Sequence, residues 1–267
     1  MALSFHRRFH PIALVAPALV FATWLLIGSL PASAAETGKL RVAVENSYRP
    51  FAYTDETGRL TGFDVEIAER ICAELNRDCE IIAMPFDTII PSVAKGDIDI
   101  GALGLGITHE RKQMVDFTDH YFRSQSIFIE KPGTVKNLSP EGMAGKRVGA
   151  QTGSLQEEHL RKTYGPHISL VLTPDFEQLF KNLQAGRTDL IFVDGLPGYT
   201  VLKSPLGDGL ETLGPPIPDN IVSTSAHMIV PKGRPELLQG INRAIMEIIR
   251  SGEYAKINRK YFEFNVY

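Results

Sequence analysis

The fold is decided by residues 86–122, FDTIIPSVAKGDIDIGALGLGITHERKQMVDFTDHYF. This stretch predicts a short helix, a turn that begins at a glycine, a buried strand and a glycine-rich loop that ends at Arg111. An arginine just past the carboxyl end of a strand, framed by glycines and Thr108, is suited to binding a carboxylate. A guanidinium binds it bidentately, and glycines let backbone N–H groups approach a ligand. An arginine that only solvates a loop is the alternative.

Strands and helices alternate before and within this stretch. The periodicity of apolar residues predicts strands at residues 39–44, 80–84 and 98–103, and helices at residues 63–75 and 88–94. Residues 54–61 have the polar, glycine-containing composition of a hairpin turn. This order is typical of a βαβ sheet.

The chain partly repeats this pattern. Residues 86–100 and residues 176–191 both contain an aromatic–acidic helix start, an apolar helix, a glycine stop and an aspartate that enters an apolar strand. Those aspartates, Asp99 and Asp189, are predicted to be structural, because a glycine commonly ends a helix and an acidic residue commonly precedes a strand. The repeat indicates two similar α/β lobes.

A second turn of small residues lies between the two halves. Residues 147–154 lead a predicted strand into a Gly/Ser/Thr turn, and a predicted helix follows at residues 155–163. Free N–H groups at the start of a helix bind anions or dipoles, so this turn is a candidate part of a binding site. The segments at residues 235–250 and 254–262 are predicted to be packing helices.

The N-terminus carries the features of a cleaved export signal. Arg7 and Arg8 precede a mostly apolar stretch at residues 12–30, and a small-x-small pattern places the cleavage before Ala35. Residues 1–34 are therefore predicted to be a signal peptide that directs the protein to the periplasm. An uncleaved membrane anchor is the alternative.

The charge balance excludes some classes of partner. Removing the signal takes away two of the 28 basic residues and none of the 31 acidic ones, which changes the net charge from −3 to −5. A mildly acidic chain without basic runs is a poor binder of nucleic acids and membrane surfaces. No second apolar stretch of about 18 residues follows, so the rest of the chain is predicted to be soluble.

The chain contains two cysteines, Cys72 and Cys79. An oxidising compartment permits a disulfide between them, which would tie the end of a helix to the following strand, whereas two buried free thiols are the alternative. Two cysteines are too few for a structural zinc site, and the histidines are scattered without metal-ligand spacing. The sequence predicts neither a metal site nor a cofactor.

Several spaced motifs occur in the order found in one known family. They are Tyr48-x-Pro50-Phe51, Gly62-Phe63-Asp64-Val65, residues 86–91, Thr108-His109-Glu110-Arg111, Asp116-Phe117-Thr118 and Gly252-Glu253-Tyr254. On these motifs the chain resembles, over residues 40–262, the solute-binding proteins of polar amino-acid ABC importers. That family includes the histidine, lysine/arginine/ornithine and glutamine binders. The cysteine pair is also similar to a disulfide of the basic amino-acid branch.

The resemblance implies an α/β fold with two lobes, the type II periplasmic binding-protein fold. Two Rossmann-like lobes would be joined by two crossover hinge strands and would close over a ligand. Lobe 1 would comprise residues 35–127 and 223–267, and lobe 2 would comprise residues 128–222. The implied partners are a small amino acid and a membrane ABC permease, and the protein is expected to be a monomer.

The resemblance also assigns roles to residues of this chain. Arg111 corresponds to the clamp on the ligand's α-carboxylate, and Asp194 to the acceptor of its α-ammonium. Tyr48 and Phe86 correspond to aromatic residues that cover the ligand side chain, and Glu45 to an acid at the side-chain end. The other predicted contacts are Thr108, Gly104 and Gly106 at the carboxylate, and Gln151, Gly153 and Ser154 from lobe 2. Taken alone, Asp194 could cap a turn and Phe86 could pack in the core.

The binding loops also depart from the family pattern. Histidine-type members carry serines where this chain reads Leu103-Gly104-Leu105-Gly106, and Leu155 replaces a threonine. Fewer hydroxyl groups predict a drier pocket. Because Glu45 and Tyr48 favour a cationic or polar side chain, the predicted ligand is a polar L-amino acid, basic ones included.

Two other functions occur on the same fold. Cyclohexadienyl dehydratase-like enzymes resemble this chain up to the strand that carries Asp194, but they place a catalytic glutamate three residues later. This chain has Pro197 there, which cannot transfer a proton. Ligand-sensing ectodomains continue into a membrane helix and an effector domain, whereas this sequence stops at Tyr267. A binding protein, not an enzyme, is therefore the predicted function.

Overall fold

The computed structural model describes residues 1–4 and 38–267. The predicted signal peptide and its cleavage site therefore lie, beyond the first four residues, outside the described part of the chain. The chain divides into residues 1–37 and a second unit at residues 38–267, and the architecture below is that of the second unit. Among the described residues, no helix has both the length and the apolar character needed to cross a membrane.

Strands and helices alternate through the second unit. The strands are β1 (Leu40–Glu45), β2 (Tyr53–Thr54), β3 (Leu60–Thr61), β4 (Cys79–Met84), β5 (Ile100–Leu105), β6 (Val115–Arg123), β7 (Ser126–Glu130), β8 (Arg147–Gln151), β9 (Ser169–Thr173), β10 (Leu190–Asp194), β11 (Glu211–Ile217) and β12 (Ser225–Pro231). The helices are α1 (Phe63–Glu74), α2 (Phe86–Lys95), α3 (His109–Met114), α4 (Leu155–Thr163), α5 (Phe176–Gln184), α6 (Gly195–Leu202), α7 (Pro235–Arg250) and α8 (Glu253–Tyr261).

These strands form two mixed sheets of five strands each and one small hairpin. The first sheet has the order β4-β1-β5-β12-β6, in which β4, β1 and β5 are parallel and β12 is antiparallel to both neighbours. The second has the order β11-β7-β10-β8-β9, in which β10, β8 and β9 are parallel and β7 is antiparallel to both neighbours. The chain leaves the first sheet after β6 and returns to it at β12, so two crossings join the sheets.

Apolar side chains pack against both sheets. In the first sheet's largest core Phe51 and Phe122 are buried and stack with their ring centroids 4.7 Å apart. In the second, Phe128 stacks on Phe192 with ring centroids 4.2 Å apart. Burying each such ring stabilises the fold by about 2–3 kcal/mol. The cores thereby fix the strands whose carboxyl ends carry the site.

The two aspartates of the sequence repeat occupy equivalent places. Asp99 accepts hydrogen bonds from the backbone N–H of Arg41 (2.9 Å) and from its Nε (3.0 Å). Asp189 likewise accepts from the backbone N–H of Arg147 (2.7 Å) and from its Nη2 (2.6 Å). Each pair ties the start of one parallel strand to the segment that enters its neighbour. The prediction that both acids are structural is confirmed.

One predicted strand begins two residues later than expected. The sequence places it at residues 98–103, whereas β5 spans Ile100–Leu105. Gly96 ends α2 in the left-handed conformation (φ 78°), and the N–H groups of Asp97 and Ile98 donate to Ser92 O. This helix-ending turn occupies the first residues of the predicted strand. As a result, part of the predicted glycine-rich loop belongs to β5.

The two cysteines form a disulfide, as the resemblance implies. Cys72 lies in the last turn of α1 and Cys79 begins β4, with their Cα atoms 6.2 Å apart. The alternative of two free thiols is therefore wrong. The bond fixes the turn between α1 and β4, next to the core of the first sheet.

The disulfide yields a stability prediction. The double variant Cys72→Ser/Cys79→Ser should unfold with a free energy about 2 kcal/mol lower than wild type, because the bond closes a short loop in the unfolded chain. Urea denaturation measures the difference. Reductant should lower the stability of the wild type and leave the double variant unchanged. Alkylation of two thiols in unreduced protein, seen by intact mass, would contradict the prediction.

Candidate functional site

The candidate site is a cleft between the two sheets. Gly106 follows β5 of the first sheet, while Gln151 ends β8 and Asp194 ends β10 of the second, and all three line the cleft. The carboxyl ends of parallel strands are the usual place for ligands in α/β sheets, because the connecting loops there are free to vary. Both sheets therefore contribute to one site.

Arg111 lies in the short helix α3 and is almost completely buried, with 7% of its surface exposed. Its Nη1 donates to Gly106 O (2.7 Å) and its Nη2 donates to Gly153 O (2.8 Å), so the guanidinium connects the two sides of the cleft. Burial lowers the pKa of Arg111 to about 10, which leaves it cationic at neutral pH. A guanidinium with five N–H donors has donors left for a carboxylate.

Asp194 faces the same cleft from the second sheet. It caps helix α6 by accepting from Leu196 N (3.1 Å), and the same oxygen, Oδ1, accepts from the Ser124 hydroxyl. Burial raises the pKa of Asp194 to about 6. The turn-capping role that the sequence left open is thus combined with a place in the cleft wall, and Oδ2 is not used by the cap.

Glu45 and Gln151 meet across the cleft. The Gln151 Nε2 donates to Glu45 Oε1 (2.6 Å) and to Pro174 O (3.2 Å). These bonds use both amide protons, which fixes the amide so that its own oxygen is left as an acceptor. Glu45 is buried and does not itself line the cleft, because Gln151 stands in front of it. Burial raises the pKa of Glu45 to about 8, although the bond from Gln151 opposes this.

The two predicted aromatic residues both line the cleft. Tyr48 packs edge-on against Phe176 of the second sheet's side, with ring centroids 4.9 Å apart, and stacks on Phe51. Phe86 begins α2 and also belongs to an apolar core of the first sheet. The core-packing alternative and the predicted position in the cleft wall therefore both hold for Phe86.

Other predicted residues make structural hydrogen bonds in or beside the cleft wall. Thr108 caps α3 by accepting from Arg111 N (3.1 Å), and Gly153 contributes the carbonyl bound by Arg111. Ser154 lines the cleft, but its hydroxyl caps α4 by accepting from Glu157 N (3.1 Å). Gly104 also lines the cleft, but its N–H donates to Tyr121 Oη (2.8 Å), so this N–H is not free to bind a carboxylate as predicted.

Sequence reasoning missed part of the cleft wall. Gln156 lines it and donates to Ser126 Oγ (2.9 Å), and Ser124 lies beside Asp194. Residues 223–226 complete this wall. A usable signal was present, since small polar residues cluster at both places where the chain crosses between the predicted lobes.

Comparison with known proteins places this cleft in context. The model of the bacterial extracellular solute-binding proteins, family 3, matches residues 40–264. The histidine-binding periplasmic protein of Escherichia coli K12 is 31% identical over 239 residues, covering 88% of this chain and 92% of that protein. The L-arginine-binding protein of Pseudomonas aeruginosa is 32% identical over 255 residues, covering 94% and 97%.

Solved structures show the same architecture. An ancestral arginine-binding protein bound to arginine superposes with a TM-score of 0.78 at 35% identity, covering 84% of this chain and 98% of that one. An ancestral amino acid-binding protein described as a precursor of cyclohexadienyl dehydratase gives 0.75 at 27% identity, covering 85% and 96%. The prediction of a two-lobed type II binding-protein fold is confirmed.

The raised pKa of Glu45 yields a stability prediction. Between about pH 4.5 and pH 8 the folded protein keeps a proton that the unfolded chain releases, so the stability from this group falls as pH rises. Glu45→Gln cannot lose a proton and still accepts from Gln151. In urea denaturation of ligand-free protein it should match wild type near pH 5 and exceed it by on the order of 2 kcal/mol at pH 8. A difference independent of pH would refute this.

Proposed function

The chain belongs to the bacterial extracellular solute-binding proteins of family 3, and we propose that it binds an L-amino acid with a cationic side chain in this cleft. We propose further that it delivers the amino acid to an ABC-type permease for uptake. The observation that carries the proposal is the placement of Arg111 and Asp194 on opposite sides of one cleft. A buried cation and a buried carboxylate facing one space match the two charges of an amino-acid zwitterion.

The cationic class follows from the charges around the cleft. Arg111 balances the ligand carboxylate and Asp194 balances its α-ammonium, which leaves Glu45 as a further acid near the side-chain end. With Gln151 oriented by Glu45 and Pro174, the groups offered there are acceptors. Acceptors, together with an acid whose ionisation a nearby cation would favour, suit a donor-rich, positively charged side chain and disfavour an acidic one. The arginine and histidine binders among the relatives support this class.

The contacts across the cleft support a closing mechanism. Arg111 reaches Gly153, Gln151 reaches Glu45, and Leu155 packs against Gly106 from the other side. We propose lobes at residues 35–127 with 223–267 and at residues 128–222. The division of the strands between the two sheets supports these bounds, except that β7 of the second sheet begins at Ser126. Hinge motion at the two crossings would open and close the cleft around the ligand.

The proposed setting is the periplasm. Relatives named as periplasmic binding proteins and the signal-like sequence of residues 1–34 support it. A membrane permease is the proposed partner. The mild negative charge supports a protein that does not bind nucleic acid, and we propose that it acts as a monomer.

We propose a binder and not an enzyme. The related precursor of cyclohexadienyl dehydratase is itself described as an amino acid-binding protein. At the place expected for the catalytic glutamate of the dehydratases this chain has Pro197, which is buried in α6. A prolyl side chain has no proton to transfer, so the general acid of that reaction is missing at this position.

Arg111 provides the main test of the binding site. A thermal-shift screen of the mature protein against L-amino acids and related opines should show stabilisation by L-arginine or another cationic amino acid at millimolar concentration. Arg111→Ala should abolish that shift, because it removes the carboxylate anchor. Asp97→Ala, a change at an exposed position after α2, is the matched control and should bind as wild type does.

Two outcomes would overturn the binding proposal. The first is that no amino acid raises the melting temperature and native mass spectrometry finds no retained amino acid. The second is conversion of prephenate or arogenate by correctly folded protein, which would favour the dehydratase alternative.

The charge of Glu45 yields a second test. A cationic side chain favours ionised Glu45, whose pKa is about 8 in the ligand-free protein, so L-arginine should bind more tightly as pH rises from 6.5 to 8. The ratio of affinities for L-arginine and the neutral L-citrulline should rise by up to about tenfold over that range. Isothermal titration calorimetry measures the ratio, in which the ionisation of Asp194 cancels.

Glu45→Gln is the matched control for this test. It should give an affinity ratio that is independent of pH and lower than the wild-type ratio at pH 8. A pH-independent ratio in the wild type would show that Glu45 does not recognise the side-chain charge.

A further inference from the structure

A buried chain of hydrogen bonds leads away from the cleft wall into the first lobe. The Gly104 N–H donates to Tyr121 Oη (2.8 Å), and the Tyr121 O–H donates to Asp64 Oδ1 (2.7 Å). Tyr121 is fully buried and Asp64 is 1% exposed. Neither residue lines the cleft. The motif that contains Asp64 is part of the family resemblance, but the ligand contacts derived above give it no role.

Gly104 is held tightly from two sides. Its φ of 60° lies in the left-handed region, which favours glycine. A Cβ at this position would come within 2.4 Å of the Phe122 ring, so the backbone is pressed against that ring. The hydrogen bond to Tyr121 fixes its peptide from the protein interior. The position of Gly104 is therefore set by neighbouring residues of β6, not by solvent.

Gly104 lies two residues before Gly106, whose carbonyl is a hydrogen-bond partner of Arg111. This carbonyl accepts from Arg111 Nη1 (2.7 Å). A shift of the Gly104 peptide would move this carbonyl and rotate the guanidinium. Because a bidentate pair with a carboxylate requires a fixed plane, such a rotation weakens carboxylate binding in particular.

Asp64, at the interior end of this chain of hydrogen bonds, holds Tyr121 in one orientation. Asp64 lies in the first turn of α1, and its Oδ2 is buried without a partner among the described residues. The Tyr121 hydroxyl is thus the side-chain donor that reaches this carboxyl group, so rotating the hydroxyl away leaves a second buried oxygen unpaired. Tyr254 Oη donates to the Tyr121 backbone carbonyl (2.6 Å), which fixes the same residue from its other side.

We propose that Tyr121 and Asp64 are positioning residues for recognition of the ligand's α-carboxylate, acting through Gly104 and Gly106 on Arg111. This inference rests on the proposed function, in which Arg111 binds that carboxylate. It predicts that breaking these hydrogen bonds weakens binding of a ligand with a free α-carboxylate. Binding of the same ligand with that carboxylate neutralised should be weakened much less.

The test compares L-arginine with L-argininamide by isothermal titration calorimetry. Tyr121→Phe keeps the ring and removes both hydrogen bonds, and it should weaken L-arginine binding about fivefold to tenfold. Binding of L-argininamide should change less than about twofold, so the affinity ratio of the two ligands should fall. The matched control is Tyr164→Phe, which removes a buried tyrosine hydroxyl bonded to Leu138 O in the second lobe and should leave the ratio unchanged.

A second pair of variants probes the acid independently of Tyr121. Asp64→Asn retains an oxygen that can accept from the Tyr121 hydroxyl, so its ratio should stay within about twofold of wild type. Asp64→Ala removes the acceptor and should lower the ratio as Tyr121→Phe does. The melting temperature of each variant reports any general loss of stability. Such a loss would not distinguish aspartate from asparagine at position 64, and it would leave the affinity ratio of L-arginine to L-argininamide unchanged.

The outcomes separate this inference from the proposed function. If wild type binds L-arginine and the ratio is the same in Tyr121→Phe and Asp64→Ala, the positioning role is overturned and the binding function stands. If wild type binds a different amino acid, that amino acid and its α-carboxamide replace the arginine pair. If wild type binds no amino acid, the proposed function fails and the positioning role fails with it.

Discussion

The guanidinium of Arg111 is a charge removed from water, and the arrangement of both lobes around the cleft depends on it. Its partners among the described residues are two backbone carbonyls, Gly106 O on its own side and Gly153 O on the other. Carbonyl dipoles keep the cation ionised but do not neutralise it, so an anion in the cleft gains more here than at a surface. In the proposed function, Arg111 therefore couples ligand binding to contact between the lobes.

Three buried acids, Glu45, Asp64 and Asp194, are the counterpart of the Arg111 cation in the charge balance around the cleft. Burial raises the pKa of Glu45, Asp64 and Asp194 above the usual carboxyl range, and each ionised acid makes ionisation of another less favourable. A positively charged ligand offsets the cost of ionising these buried acids, whereas a neutral group does not. Glu45 ends β1, Asp194 ends β10 and Asp64 lies at the start of α1, and among these three acids Asp194 lines the cleft itself.

Much of this arrangement could be predicted from the sequence, where local signals carry it. Helices α4 and α7 begin and end as predicted, because the Ser154 cap and the proline at the start of α7 are local features. The strand β5 was displaced because the turn after Gly96 reuses carbonyls of α2. The Gly104 N–H was assigned to the ligand, yet it donates to the distant Tyr121, and residue patterns do not reveal this competition. Thr108 was also assigned to the ligand, and its bond from Arg111 N leaves the hydroxyl proton as a donor.

Gly106 and Leu155 both depart from the family pattern, and the two departures compensate each other in size. A Cβ at Gly106 would lie 2.3 Å from Leu155 Cδ1, so the missing side chain on one lobe makes room for the larger one on the other. Serine and threonine at these positions would meet through hydroxyl groups, whereas this pair meets as an apolar contact. The contact between the lobes at this point then adds no hydroxyl donor, and in the proposed function recognition of the carboxylate depends more on how rigidly the segment from Gly104 to Gly106 holds Arg111.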